Sequence, residues 1–523
     1  MKAVADESTR RRQGVLAAIE RIGNALPDPA TLFLLGALLV MGVSHWAALA
    51  GWSVEKTVAR DGELLRVALG ARSLLSADGL YWALRNLVKS FVEFPPLGVV
   101  LVAMLGIGVA ERSGFIGAAL KAVMLAVPSW LLAPTLMFVG VLSSMGLDAG
   151  YVVLPPVAAA LYKAVGRSPL VGLATVFAGV SAGFSANLFL TSLDPLLAEF
   201  TTAAAQLRDP AYQVAATSNW WFMIASTVLL TGVGWGVTAL WVEPRWRDRP
   251  AEEGGPVPTD GADLEGQRLS PEQRRGLGVA LGALTVSLAL MWAATRLPGG
   301  PLHAAPGEPA RWIPVIVPLL FFAFLVPGIA YGVTVRTIRS DRDVARMMSE
   351  TMAGMGSYLV LAFFAAQFIG WFRYSGLGEM LAITGGELLV RAALPNAALM
   401  VAFVGVVALG NLFIGSMSAK YAFFAPVFVP MFMAVGVSPE LTQVTYRIGD
   451  SVSNVITPLN PYMVILLVFM RRHAPQGGIG TLVALMLPYA FAFTAAWVVM
   501  LVVWMGLGWE LGPAGPLAYV PAP

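Results

Sequence analysis

Long apolar runs with short polar breaks dominate the chain. A bilayer core of about 30 Å needs ~20 apolar residues in a helix. Nine runs reach that length, at roughly 30–50, 92–110, 169–200, 217–242, 276–297, 312–335, 351–372, 439–470 and 478–508. The first is too long for the apolar stretch of a signal peptide and no A-x-A site follows it, so it reads as a retained helix. Two further stretches are too long for one span and too short for two. Residues 128–162 are interrupted by Ser143-Ser144-Met145-Gly146-Leu147-Asp148-Ala149-Gly150, and residues 397–433 by Gly415-Ser416-Met417-Ser418-Ala419-Lys420. Each pattern predicts two half-length helices meeting at a polar tip, a re-entrant hairpin tolerated where the tip is buried in protein or faces water.

The predicted architecture is an all-α polytopic membrane protein with nine transmembrane helices, two re-entrant hairpins and broken helices arranged as an inverted repeat. Residues 1–27 form a cytoplasmic segment. Residues 28–242 form a first half, with hairpin 128–162 and broken helix 169–200. Residues 243–275, rich in Pro, Gly and charge, form a cytoplasmic linker. Residues 276–508 form a second half, with hairpin 397–433 and broken helix 439–470, and residues 509–523 an external tail. The 51–91 segment is expected to be a helical excursion on the outer face.

Composition agrees with this class. The chain is 57% hydrophobic and only 12% charged, with a mean hydropathy of +0.72, where soluble domains run at ~45–50% and ~25%. It has no cysteine, which excludes disulfides, thiolate metal sites and a cysteine nucleophile. A net charge of +3 is too weak and dispersed for nucleic-acid binding. Basic residues set the orientation. With the N-terminus in the cytoplasm and both hairpins returning to their own side, 21 Lys/Arg lie inside and 11 outside, with Lys420 and Arg447 left within the membrane. The C-terminus is then external.

The halves repeat at their breaks. The first hairpin reads Ser144-Met145, Tyr151, Leu154-Pro155-Pro156, and the second Ser416-Met417, Tyr421, Ala425-Pro426. The spans that follow read Asn187-Leu188-Phe189-Leu190-Thr191-Ser192-Leu193-Asp194-Pro195 and Asn454-Val455-Ile456-Thr457-Pro458-Leu459-Asn460-Pro461. By the charge count the hairpins enter from opposite sides. Inverted repeats with discontinuous helices are the pattern of secondary transporters, whose sites sit at the repeat interface.

A broken helix exposes backbone groups that lipid cannot satisfy, so something polar occupies the gap. Ser144, Asn187, Thr191, Ser416, Asn454 and Thr457 offer hard oxygen ligands suited to bound Na⁺, with Ser418 also in the lining; the plainer reading is that they satisfy neighbouring backbone. No other cofactor is expected. Asp148, Asp194, Lys420, Arg447 and Asp450 lie at or near breaks, where each charge costs on the order of 3 kcal/mol at mid-bilayer. Arg447 and Asp450, spaced i,i+3, either form a structural pair or divide their roles. In the second case Arg447 grips a substrate carboxylate with its bidentate fork and Asp450 orients it or carries a proton. Lys420 either binds an anion or snorkels to the interface. Tyr421 either stacks on an aromatic substrate or packs. Trp220, Trp221, Trp235, Trp241, Trp504 and Trp509 suit an interfacial belt.

Gly179-Val180-Ser181-Ala182-Gly183 matches the nucleophile elbow G-x-S-x-G, which needs a strand–turn–helix setting and a base. Here it lies inside an apolar run, and His45, His303 and His473 fall near span ends or in loops. An intramembrane serine hydrolase, with Lys420 as base, and a channel are the rival classes to a carrier.

The chain resembles the AbgT family of p-aminobenzoyl-glutamate transporters. The likeness is carried by Glu20-Arg21-Ile22-Gly23-Asn24-Ala25-Leu26-Pro27-Asp28-Pro29, Gly183-Phe184-Ser185-Ala186-Asn187, Asn411-Leu412-Phe413-Ile414, Ser418-Ala419-Lys420 and Tyr446-Arg447-Ile448-Gly449-Asp450-Ser451. The resemblance implies a bacterial inner-membrane homodimer that carries p-aminobenzoyl-glutamate, or exports sulfonamides, on a cation gradient. It also implies that Asp194, Asn411, Ser418, Pro439, Arg447 and Asp450 line the pathway. Tyr421 stands where the family usually has Trp. A substrate with one aromatic ring and two carboxylates suits Tyr421, Arg447 and Lys420.

Overall fold

The computed structural model describes residues 29–60, 63–146, 149–256, 268–304, 310–411, 413–457, 460 and 462–521. Asp148, Leu412, Pro458 and most of the N-terminal motif lie outside them. The described chain is mostly helical, with several long apolar helices and several broken ones.

Helix α1 (Pro29–Leu49) leads into a two-stranded antiparallel ribbon, β1 (Ser53–Arg60) and β2 (Glu63–Gly70), with Arg60 paired to Glu63 and Ser53 to Gly70. This corrects the helical expectation for the first part of 51–91. Asp61-Gly62 separates the strands in the sequence, and Asp-Gly between β-prone runs is the strongest short hairpin signal. Helices α2 (Ala77–Val92) and α3 (Pro95–Arg112) follow.

Helix α4 (Phe115–Leu125) falls in a segment expected to be extramembrane, and turns sharply into α5 (Leu132–Leu142). A 3₁₀ turn, Ser143–Gly146, then separates α5 from α6 (Ala149–Ala164). Helices α7 (Pro169–Ala182) and α8 (Leu193–Ala205) are the two pieces of the next span, and α9 (Trp220–Val237) continues through a π turn to Arg247.

After the linker come α10 (Pro271–Arg296), α11 (Ile316–Thr334), α12 (Asp341–Gly354) and α13 (Gly356–Tyr374). Helices α14 (Leu377–Ala392), α15 (Asn396–Gly410) and α16 (Met417–Met433) then repeat the bent-helix and broken-hairpin order of α4 to α6. The angle between α4 and the helical segment after it is 118°, and between α14 and α15 it is 120°. Helices α17 (Pro439–Ser453) and α18 (Tyr462–Arg471) form the second broken span, and α19 (Ile479–Leu507) precedes the tail.

Burial follows the logic of lipid rather than of water. Large apolar side chains such as Leu39, Trp46, Leu240, Leu290 and Phe491 are exposed, whereas every residue of α7 and of α17 is buried. Helices α5 and α6 pack on α7, and α15 and α16 pack on α17. The α5–α7 crossing is close because it is made by glycines. A Cβ on Gly179 would stand 2.6 Å from the Met137 carbonyl oxygen and 3.0 Å from Gly140 Cα. Small residues that let backbones meet are the usual means of helix association in lipid. They also explain Gly179 of the G-x-S-x-G motif. Ser181 is in the last turn of α7, buried, accepting a hydrogen bond from Asn460 Nδ2 at 3.1 Å.

Candidate substrate and ion site

Helix α17 is polar yet wholly buried. Glu440, Gln443, Arg447, Ser451 and Asn454 recur at helical spacing (i, i+3, i+7, i+11, i+14), which puts them on one face. That face meets α8, the α7–α8 break and α16. Its partners make a seam of hydrogen bonds. Thr201 Oγ1 donates to Gln443 Oε1 at 3.0 Å and shares a 2.6 Å contact with Tyr421 Oη. The Ser185 backbone N–H donates to Ser451 Oγ at 3.2 Å.

Two ion pairs lie in the seam. Arg447 Nη1 donates to Asp194 Oδ1 at 2.7 Å and Nη2 to the Ser185 carbonyl at 3.2 Å. Asp194 Oδ2 also accepts from the Thr191 backbone N–H at 2.7 Å and its hydroxyl at 3.0 Å, capping the first turn of α8. Lys420 Nζ stands 2.6 Å from both Asp450 Oδ1 and Asn411 Oδ1. All four charged side chains are 5% exposed or less. The i,i+3 pairing of Arg447 with Asp450 is therefore corrected. Each takes a partner from another element, because a short bidentate-capable contact across the seam outweighs a helix-surface pair. Snorkelling of Lys420 is likewise corrected, since its ammonium is held inside between Asn411 and Asp450.

In each half the hairpin is hydrogen-bonded to the broken helix that follows it. Asn187 Nδ2 donates to Ser144 Oγ at 2.8 Å. Asn411 Nδ2 donates to Asn454 Oδ1 at 2.8 Å, to Ser453 Oγ at 2.9 Å and to the Asp450 carbonyl at 3.0 Å. Thr457 Oγ1 donates to the Asn411 carbonyl at 3.1 Å. Of the expected residues, the structure thus brings Asp194, Thr191 and Arg447 into one cluster and Asn411, Lys420, Asp450, Asn454 and Thr457 into another, while Ser144 and Asn187 meet at the first hairpin tip.

Others stand apart. Ser416 caps α16 and is exposed, and Ser418 is half-buried beside it. Pro439 is at the first turn of α17, two turns or about 12 Å of helix from Arg447. The Tyr421 ring is fully buried, 4.3 Å from that of Tyr446, so it packs rather than facing an open site. Sequence reasoning missed Ser185, Thr201, Glu440, Gln443 and Ser451. The helical recurrence of polar positions on α17 was the available signal for three of them.

Three atoms in this region are buried without a hydrogen-bond partner: Arg447 Nε, Asp450 Oδ2 and Ser185 Oγ. A buried polar atom left unmatched costs about 1–3 kcal/mol. Their grouping around the two ion pairs marks a place where a polar guest would be stabilised.

The comparisons with known proteins agree with one another. A family described as "AbgT putative transporter family" matches residues 14–519. The p-aminobenzoyl-glutamate transport protein of Escherichia coli is 34% identical over 505 residues, covering 95% of each chain. The crystal structure of the Alcanivorax borkumensis YdaH transporter is similar with a TM-score of 0.83 at 42% identity, covering 93% of this chain and 100% of that one. The structure of Neisseria gonorrhoeae MtrF, described with a class of antimetabolite efflux pumps, gives a TM-score of 0.89 at 38% identity, covering 97% and 100%.

Proposed function

This chain belongs to the AbgT transporter family, and from that premise we propose that it is a secondary active carrier of p-aminobenzoyl-glutamate or related aromatic carboxylates and sulfonamides, driven by a Na⁺ or H⁺ gradient. It is a multi-pass membrane protein of a family of transporters. The finer topology is part of the proposal: nine spans and two re-entrant hairpins in the inner membrane, with the N-terminus cytoplasmic, the C-terminus external, and two protomers in a homodimer. An inverted repeat is supported by the matching 118° and 120° bends and by a hydrogen bond between hairpin and broken helix in each half, Asn187 to Ser144 and Asn411 to Asn454.

The observation that carries the reading is the pair of buried salt bridges, each joining elements from different parts of the chain, with Arg447 Nε and Asp450 Oδ2 unmatched beside them. A buried ion pair is poor value as pure stabiliser. A pair that exchanges partners is useful to a carrier. An incoming carboxylate takes the Arg447 fork, with the free Nε aiding a bidentate grip. A coupling cation replaces the lost positive charge at Asp194. The seam then has two arrangements of similar energy, which alternating access requires.

Flux of radiolabelled p-aminobenzoyl-glutamate and of a sulfonamide in proteoliposomes, with Na⁺ and pH gradients imposed separately, tests the proposal. Saturable accumulation on one of the two gradients is expected. Non-saturating flux that ignores both gradients indicates a channel.

A further inference from the structure

Among the described residues, Arg447 with Asp194 and Lys420 with Asp450 are matched at the α17 seam as two ion pairs. Glu440, a further buried acid of α17, has no such match. It is 2% exposed, and among the described residues no Lys, Arg or His lies within ion-pair distance of its carboxylate. Tyr212 Oη reaches both carboxylate oxygens, at 3.0 and 3.2 Å, and the Ser438 hydroxyl and Glu440's own backbone N–H are the other donors beside it. Burial and the adjacent carboxylate push the Tyr212 hydroxyl well above its usual range, so that hydroxyl stays a donor. It supplies one proton to two oxygens and no positive charge.

A second observation points the same way. Asn219 Nδ2 is spent on the Glu440 carbonyl at 3.1 Å, and Asn219 Oδ1 is buried with no donor. The locality thus has a buried carboxyl group without a counter-charge and a buried amide oxygen without a partner, both hard oxygen ligands. The helix N-terminus supplies part of the missing charge, less than the desolvation of a buried carboxylate costs.

The neighbouring charges do not close the gap. Asp209, in the α8–α9 connection with Tyr212, is itself acidic and is engaged by Tyr519 Oη of the C-terminal tail at 3.2 Å. Arg447 is two turns along α17 and is committed to Asp194. The same tail ties down the surroundings, with Ser438 Oγ donating to the Pro516 carbonyl at 2.6 Å and the Phe222 N–H to that of Leu511 at 2.9 Å. These bonds fix the surroundings of Glu440.

We propose that Glu440 and Asn219, covered by Tyr212, form a binding site for a hard monovalent cation, Na⁺, at the Pro439 end of the seam. Hard cations select carboxylate and amide oxygens, and this site shares no residue with the polar positions the sequence offered for Na⁺. Its existence does not depend on the transport reading. Its role does, as the station from which the coupling cation enters the seam toward Asp194.

Purified full-length protein is tested for saturable binding of radiolabelled Na⁺ and for thermal stabilisation by Na⁺ against choline at constant ionic strength and pH. Wild type is expected to bind Na⁺ saturably and to melt several degrees higher in Na⁺. Glu440→Gln, which keeps size and the Tyr212 contact, is expected to lose both responses, and Asn219→Ala to weaken them. The second variant keeps the test alive if the first does not fold. An equal Na⁺ response in wild type and both variants overturns the proposal. So does the lack of any Na⁺ response, the result expected if a proton neutralises Glu440. Loss of Na⁺ binding in Glu440→Gln alongside wild-type flux that ignores Na⁺ supports the site and removes Na⁺ coupling from the functional reading.

Discussion

Removal of Arg447 separates what the ion pair does for stability from what it does for transport. In Arg447→Met, Asp194 keeps only Thr191 as donor, through its backbone N–H and hydroxyl, both to Oδ2. Oδ1 is left bare in a site 5% exposed. Stripping one partner from a buried pair costs about 3–5 kcal/mol, roughly two to three and a half powers of ten in the folded population. Asp194→Asn in the same chain removes the stranded charge and keeps an acceptor for Thr191. The double variant should therefore regain most of the lost stability, because a neutral replacement of a buried pair is often close to neutral overall. Transport should not return, since no guanidinium remains to bind a carboxylate. Thermal melting in detergent together with flux in proteoliposomes reads both quantities. Equal melting of Arg447→Met and wild type, or flux restored in the double variant, would refute the reasoning.

Asp450→Asn removes the counter-charge of the Lys420 ammonium and leaves it only neutral amide acceptors, Asn411 Oδ1 at 2.6 Å among them; expected are a melting decrease comparable to that of Arg447→Met and flux that no longer follows the driving gradient, and coupled flux at wild-type stability would count against it. Gly179→Leu forces α5 and α7 apart at a backbone contact, with an expected loss of about 1–3 kcal/mol and reduced folded yield. Gly232→Leu, where an added Cβ meets nothing within 4 Å, should express normally. Asp343 begins α12 and is held below its ordinary value of 3.8 by hydrogen bonds from the Arg339 and Ser340 backbone N–H groups and by Arg346. A depressed carboxylate lends stability above its unfolded value and loses it as pH falls through the folded one. Amide protection at 340–345, corrected for the intrinsic pH dependence of exchange, should fall on acidification below that ordinary value, and Asp343→Asn should show the lower protection at every pH.

How far the sequence went depended on the range of the signal. The breaks at Ser143–Gly146 and before Met417 were legible, because polar clusters inside apolar runs have no other cheap explanation in lipid. Asp194, Lys420, Arg447 and Asp450 stood out as charges within apolar segments for the same reason. Their partners did not. Arg447 and Asp194 are 253 residues apart, and local spacing suggested Asp450 instead. Glu440 escaped notice because a carboxylate at a helix start looks like an ordinary favourable N-terminal acid. Its burial and lack of a cation are tertiary facts. Helix α4 was hidden by Arg112 and Lys121, which flank or interrupt its apolar residues, and the β1–β2 ribbon by a pattern mixed enough to pass for an amphipathic helix. Asn187 and Asn454 were visible as similarly placed polar residues, but the bonds they make, Asn187 to Ser144 and Asn454 from Asn411, were not.

The central claim is that the seam between α17 and the α7–α8 break opens during the transport cycle to admit a substrate beside Arg447. The chain has no cysteine of its own, so a single Ser185→Cys places one thiol next to the Arg447 guanidinium, at a position now 1% exposed. In proteoliposomes a small charged thiol reagent should modify this cysteine, faster when the driving gradient is applied, and p-aminobenzoyl-glutamate should protect it in a saturable manner. A thiol that stays unreactive under every gradient, or reacts at the same rate with and without substrate, would contradict the account.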